Sequence, residues 1–240
     1  MALACSTAGF ESVLIHTQTL LTQNVNLAPF DLIVFPGGFS FGDELGAGKV
    51  FANRIAYAKQ SEGAHLKDRL LEFVDSGKCI LGICNGFQLL VKLGLLPGAL
   101  AHNESGRFED RWVHHKVCSS PCVFTQGLTH LYLPVRHGEG KYISTESARV
   151  PLKYSTQEGR ATQEYPYNPN GSEDAIAAVT DSTGRIFGMM AHPEAALFFT
   201  NDPRWTRERE QRLRRGDPIP QYADGYALFY NVKRYLLERT

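Results

Sequence analysis

Three short aliphatic runs limit what this chain can fold into. Asp31–Phe35 (DLIVF) stops at Pro36-Gly37-Gly38, Lys78–Ile83 (KCILGI) leads into Cys84-Asn85-Gly86, and Arg185–Met190 leads into Ala191-His192-Pro193-Glu194. Each run is too short for a helix, is apolar on both faces, and ends at residues suited to a tight loop. That is the pattern of strands buried on both sides in a parallel sheet. Parallel strands need crossover connections, and the sequence supplies helices for them. Residues 66–76 place Leu66, Leu70, Phe73 and Val74 on one face. Residues 86–95 give a second, more apolar helix, and Tyr226–Leu237 a closing one. Strands alternating with helices predict an α/β doubly wound, mostly parallel sheet with helices on both faces.

The middle of the chain has a different pattern. Arg111–Val117, Cys122–Phe124 and Leu131–Val135 predict a small antiparallel strand set beside the main sheet. Residues 151–175 are rich in Pro, Asn, Gly and Ser and predict loop, and residues 201–220 are strongly polar. No internal repeat is visible, so the 240 residues are expected to form one domain over 1–240. A chain of this length can bury a core without disulfides or metals.

Composition narrows the partners. Lys+Arg and Asp+Glu both total 25, which leaves no net charge to favour nucleic acid or an anionic membrane surface. No apolar run approaches the roughly 20 residues of a membrane-spanning helix. Met1–Thr7 lacks the basic and apolar regions of a signal peptide, so a cytoplasmic location is expected. In that setting the five cysteines, Cys5, Cys79, Cys84, Cys118 and Cys122, are expected to be free thiols.

One of them stands apart. Gly82-Ile-Cys-Asn-Gly86 has the form G-x-C-x-G, follows a buried run and opens a helix. With serine at its centre, this arrangement is the nucleophile elbow of α/β hydrolases. A sharp strand-to-helix turn pushes the central side chain into a strained, accessible position. Glycines two residues to either side remove Cβ atoms that would collide there. The helix N-terminus favours a thiolate, and the Asn85 N–H is placed to bind an oxyanion. A core cysteine in a tight turn is the competing reading of the same residues.

A nucleophilic cysteine needs a base, and the base needs a group to orient it. His192-Pro193-Glu194 offers both on one loop after a strand, with Pro193 stiffening the pair. Alone, a histidine in a polar loop would mean little. The Pro36–Ser40 loop is the candidate for a second oxyanion donor, because glycine lets a backbone N–H approach a substrate closely. A phosphate-binding loop fits poorly, since Gly42–Val50 lacks the G-x4-G-K-S/T spacing. His114, His115, Cys118 and Cys122 lack the spacing of a metal site, and strand alternation would split them between two faces. No metal is expected. His137-Gly138-Glu139 could support a second acid/base pair, but its strand-end position reads rather as a substrate-side or partner-facing loop or a plain turn. Arg204–Arg215 reads as a solvated face or a docking surface.

PGGFSFGD (36–43), GICNGFQ (82–88) and AHPE (191–194) together resemble the class I, triad-type glutamine amidotransferases. HNESGRFEDRW (102–112), HGEGKY (137–142) and NPNGSEDAIA (168–177) narrow the resemblance to the glutaminase components of phosphoribosylformylglycinamidine synthase. It runs from about residue 8 to the C-terminus. The resemblance implies a flavodoxin-like sheet, Cys84 as nucleophile, His192 and Glu194 completing a triad, and backbone oxyanion donors at Gly38 and Asn85. Gln88, one helical turn after Cys84, is placed to reach bound L-glutamine.

The implied reaction is hydrolysis of glutamine through a cysteinyl thioester. The ammonia would pass to a synthetase subunit of purine biosynthesis, with a small bridging subunit as a further candidate partner. Nothing in the chain reads as an ATP site, so no cofactor is expected here, and ATP and magnesium are expected on the synthetase. Two departures stand out. Family members begin with a strand and a short turn, whereas Met1–Phe10 reads as the first helix already under way, so one inner strand is expected to be missing. Ala191 stands where the family usually has proline. A catalytically silent binding module and a cysteine hydrolase with another substrate remain alternative functions.

Overall fold

Burial along the three aliphatic runs follows their place in one sheet: the second and third are fully buried inside it, and the first, which has one neighbouring strand among the described residues, is half-buried up to Phe35. The structure, a computed structural model, describes residues 1–38 and 65–239. Strands β1 (Leu32–Phe35), β2 (Cys79–Ile83) and β9 (Ile186–Met189) lie side by side and parallel. Every residue of β2 and β9 is buried, as continuous aliphatic runs require. The sheet continues through β8 (Ile176–Thr180), β7 (Arg149–Ser155), β4 (Glu109–Val117) and β5 (His130–His137). Its order is β1-β2-β9-β8-β7-β4-β5. From β9 onward each strand is antiparallel to its neighbour, so β7 and β5 point the same way as the parallel three. A two-stranded antiparallel sheet, β3 (Ala99–Ala101) with β6 (Lys141–Ile143), stands apart. The large sheet curls far enough that Val135 near the end of β5 bridges Ala191 just past β9.

Helices α1 (Ala2–Thr7) and α2 (Thr17–Thr22) come first, and α3 (Leu66–Asp75) packs on β2. In α3 the buried residues are Leu66, Leu70, Phe73 and Val74, the four that helical spacing places on one face. Helix α4 (Asn85–Lys92) is buried all round except at Lys92 and lies against β1, β2, β3 and β9. Helix α5 (Trp205–Arg215) has no buried residue and is the polar segment read from the sequence. The closing helix α6 (Asp224–Leu237) buries Leu228, Phe229 and Val232 and packs against α1 and β5.

The expected antiparallel strands adjoin the parallel three and continue the same sheet. Two sequence expectations need correction. Residues 151–175 are not all loop, because β7 sits in the sheet between β4 and β8. Pro151 is tolerated because the β7–β8 register shifts between Arg149 and Leu152, which leaves no ladder position for it to break. Cys122–Phe124 is not a strand; a single 3₁₀ turn spans Val123–Thr125. The carbonyls of Phe124 and Gln126 are taken by the Asn231 side-chain amide of α6 at 3.0 and 2.8 Å, where a strand would have used a ladder. At the start of the chain, β1 has a neighbour on one side only among the described residues, and Val13 and Leu14 stay exposed.

Candidate active site

Register brings the three strand ends together. Phe35 pairs with Gly82, and Ile83 with Met189, so β1, β2 and β9 finish side by side. Their loops therefore emerge at one place, carrying Gly37-Gly38, Cys84 and His192. The Cys84 N–H closes the β2–β9 ladder on the Met189 carbonyl at 2.8 Å, and the chain turns at once into α4. Cys84 has φ 50° and ψ −105°, a conformation that side chains other than glycine rarely adopt. Strain of this kind costs about 1–3 kcal/mol and persists only where the surroundings impose it. Here the imposing groups are visible. A Cβ on Gly86 would overlap the Phe35 carbonyl, and one on Gly82 would lie 2.5 Å from Leu90 and 2.8 Å from the Gly86 carbonyl carbon. Both glycines let helix and strand close to contact and so create the elbow.

His192 sits across from the cysteine. Its N–H donates to Pro134 O of β5 at 2.8 Å, and Pro193 opens the short 3₁₀ turn that carries Glu194. His192 Nδ1 and Glu194 Oε1 are 2.8 Å apart. Nε2 has no aligned hydrogen-bond partner and lies beside Cys84. Burial alone would push this imidazole down. The Cys84 sulfur and the Glu194 carboxylate outweigh burial and raise it to about 9. The geometry therefore favours an imidazolium next to the sulfur at neutral pH. The thiol itself points at Arg136 O, 3.7 Å away.

The remaining sequence candidates are placed as follows. Gly37 packs between His192 and Cys84: a Cβ there would lie 2.7 Å from His192 Cε1 and 3.3 Å from Cys84 Cβ. Gly38 follows with φ 132°, which glycine alone adopts freely, and beyond its chain neighbours no atom of the described residues lies within 4 Å of where a Cβ would sit. The Phe39–Asp43 part of the PGGFSFGD motif and the Gly42–Val50 segment lie outside the described residues. Asn85 opens α4, where a first-turn N–H has no intrahelical acceptor. Gln88 is buried one turn on, with its Oε1 taking Asn85 Nδ2 at 3.2 Å and its Nε2 donating to Glu139 O at 2.7 Å.

The turn from Arg136 to Gly140 forms a wall of this site, which is the substrate-side loop that the HGEG sequence offered as one of its readings. The His/Cys group on β4 does not converge: His114 contacts His130 at 2.7 Å, whereas His115 is buried against Tyr154. Among the described residues no group of three or more His, Cys, Asp or Glu could hold a metal ion. No helix among them is long and apolar enough to cross a membrane.

A family profile for CobB/CobQ-like glutamine amidotransferase domains matches residues 1–236. A phosphoribosylformylglycinamidine synthase subunit PurQ of Methanococcus maripaludis is 41% identical over 248 residues, covering 95% of this chain and 89% of that protein. The PurQ subunit of Dehalococcoides mccartyi is 40% identical, covering 95% and 88%. Among solved structures, the PurLQS structure from Thermotoga maritima superposes with a TM-score of 0.73 at 29% identity, covering 98% of this chain and 91% of that one.

Proposed function

The chain belongs to the CobB/CobQ-like glutamine amidotransferases and, within them, to the PurQ subunits of phosphoribosylformylglycinamidine synthase, and from that membership we propose that Cys84, His192 and Glu194 hydrolyse L-glutamine. The ammonia goes to the synthetase subunit, which incorporates it into phosphoribosylformylglycinamidine, an intermediate of purine synthesis. One observation carries the residue roles: a strained cysteine at a strand-to-helix elbow lies beside a histidine whose far nitrogen is 2.8 Å from a carboxylate.

The steps follow from that geometry. The Cys84 thiolate attacks the side-chain amide carbon of glutamine, forming a C–S bond and an oxyanion. The N–H groups of Gly38 and Asn85 bind the oxyanion. His192 gives its Nε2 proton to the amide nitrogen, the C–N bond breaks and ammonia leaves. Water then attacks the thioester while Nε2 takes its proton. Collapse of the second tetrahedral intermediate breaks the C–S bond, releases glutamate and restores the thiolate. Glu194 holds the imidazole by Nδ1 throughout and offsets its charge. Gln88 stands beside the nucleophile as a substrate contact. The synthetase and a small bridging subunit are the partners, ATP and magnesium belong to the synthetase, and the steps above use no cofactor on this chain. The reading also places the protein in the cytoplasm.

Free release of ammonia would waste glutamine, so hydrolysis should be weak alone and rise when the synthetase is added. Glutamate release with and without that partner measures this. In the complex, Cys84→Ser should abolish glutamine-dependent synthesis and leave ammonia-dependent synthesis intact. Glutamine-dependent synthesis surviving in that variant would refute the nucleophile.

A further inference from the structure

Three of the recognised segments, around Asn103, His137 and Asn170, supply no member of the triad, yet all three meet in one buried cluster behind it. The small β3–β6 sheet brings the first two together. Its register pairs Ala101 with Lys141, which sets Asn103 against the turn that follows β5. There Asn103 engages the backbone on every side. Its N–H donates to Gly138 O at 2.9 Å, its Nδ2 donates to both Arg107 O and His137 O at 2.8 Å, and its Oδ1 accepts from Gly140 N at 3.0 Å.

Hydrogen-bond accounting fixes the tautomer of His137. Both amide hydrogens of Asn103 go to carbonyls, so its Oδ1 is an acceptor, and His137 Nδ1 at 3.0 Å must carry the proton. His137 Nε2 then keeps its lone pair and faces Asn170 Nδ2 at 3.5 Å. Asn170 agrees, because its Oδ1 already accepts from Ser172 N and Oγ, which leaves Nδ2 to donate. The same Nδ2 donates to Tyr154 OH at 3.0 Å. Asn103, His137, Asn170, Ser172 and Tyr154 are all almost fully buried, and every bond in the chain has a consistent direction. A polar network this complete, in a place where an unmade bond is costly, fixes one geometry.

That geometry bears on the active site. The turn held by Asn103 and His137 presents Arg136 O to the Cys84 sulfur and Glu139 O to Gln88 Nε2. Gly140 packs flat on the His137 ring, where a Cβ would lie 2.5 Å from Nδ1. We propose that Asn103 and His137 are positioning residues for glutamine hydrolysis, clamping the Arg136–Gly140 turn and, through its carbonyls, setting Cys84 and Gln88 for the substrate. The proposal rests on the glutaminase reading above. His137 must also stay neutral, because His192 nearby is the cation of the site. Burial, reinforced by the His192 charge, pushes His137 down to about 4.

The test uses the reconstituted complex with its synthetase. Asn103→Ala removes the clamp, and misplacing reacting groups by about 1 Å costs on the order of 100-fold. The expected result is a fall of that size in kcat/KM for glutamine, with ammonia-dependent synthesis and complex assembly unchanged. A kcat/KM within about threefold of wild type overturns the proposal. If Asn103→Ala does not fold, the isosteric Asn103→Asp decides. It loses both donors and sets a carboxylate on His137 Nδ1, which changes the charge behind His192. The alkaline limb of its pH–rate profile should move, with kcat/KM reduced. An unmoved limb with wild-type kcat/KM overturns the proposal. Loss of the glutaminase reading itself is distinguishable, because the wild-type complex would then show no glutamine-dependent synthesis that Cys84→Ser removes.

Discussion

Lowering the pH from 7 to 5 should weaken the fold through two buried histidines, and one substitution isolates the effect. His115 and His137 are both more than nine-tenths buried, and burial pushes them down to about 3 and about 4 from an ordinary value of 6.5. Each is neutral in the folded protein and charged in the unfolded chain over the window between its folded value and 6.5. The unfolded state therefore binds more protons there, and stability falls as pH falls. Between pH 7 and pH 5 the loss is about 2 kcal/mol for each histidine, or about 4 kcal/mol for the pair. His192 works the other way. Its raised value of about 9 means its contribution is complete below 6.5 and is lost as pH rises toward 9, so it returns about 1 kcal/mol over the same interval. These three together lose about 3 kcal/mol, a large share of the 5–15 kcal/mol that holds a domain together, and the half-buried His114 and His130, both pushed down by burial, act in the same direction.

The carboxylates titrate in the same range, so the wild-type slope alone cannot identify its source. His115→Phe separates it. The His115 imidazole approaches the backbone of Leu131 and Val113 without an aligned hydrogen bond, and its ring packs on Tyr154 tilted by 41°, with centroids 5.4 Å apart. Phenylalanine keeps an aromatic ring of similar size and removes an unsatisfied polar group, so at pH 7 the variant should stay within about 1 kcal/mol of wild type. Urea unfolding at pH 7 and pH 5, with both slopes fitted, should show the variant losing about 2 kcal/mol less than wild type between the two. Equal losses in the two proteins would refute the assignment. So would a variant several kcal/mol weaker at pH 7, because the imidazole's approach to the Leu131 and Val113 backbone would then be a full hydrogen bond.

Cys84→Gly should abolish hydrolysis and raise stability by about 1 kcal/mol, since it releases strain of about 1–3 kcal/mol at φ 50° against the entropy cost of a glycine. A thermal or urea midpoint below wild type would contradict that balance. Glu194→Gln removes the charge that holds His192 up, so the fall in glutamate release on the alkaline side should begin well below pH 9, with kcat/KM down by about 100-fold or more. A pH profile with its alkaline limb unmoved would show that Glu194 does not set the charge on His192.

The parts of this site that sequence reading reached are those whose chemistry sits at a strand end. DLIVF, KCILGI and the run before Ala191 carry their own burial signal, and parallel register does the rest by aligning Phe35, Gly82 and Met189. Gln88 was placed under Cys84 by helical spacing alone, but its acceptor, Glu139 O, comes from a turn whose HGEG sequence left substrate-side loop, partner-facing loop and plain turn all open. Where local pattern and tertiary partner disagree, the reading failed. Cys122–Phe124 is apolar enough for a strand, yet Asn231, 107 positions along from Phe124, takes the carbonyl that a ladder would have used. Strand β7 contains a proline and two charged residues and becomes a strand because its neighbours' register admits a bulge.

Asn103 and His137 show the limit most clearly. They stand 34 positions apart, and neither has a periodic or spacing signal that ties it to the other. Their motifs could be recognised as motifs and still say nothing of their task. The task becomes legible only through the Ala101–Lys141 register, which turns two isolated polar residues into one clamp on the turn that faces Cys84.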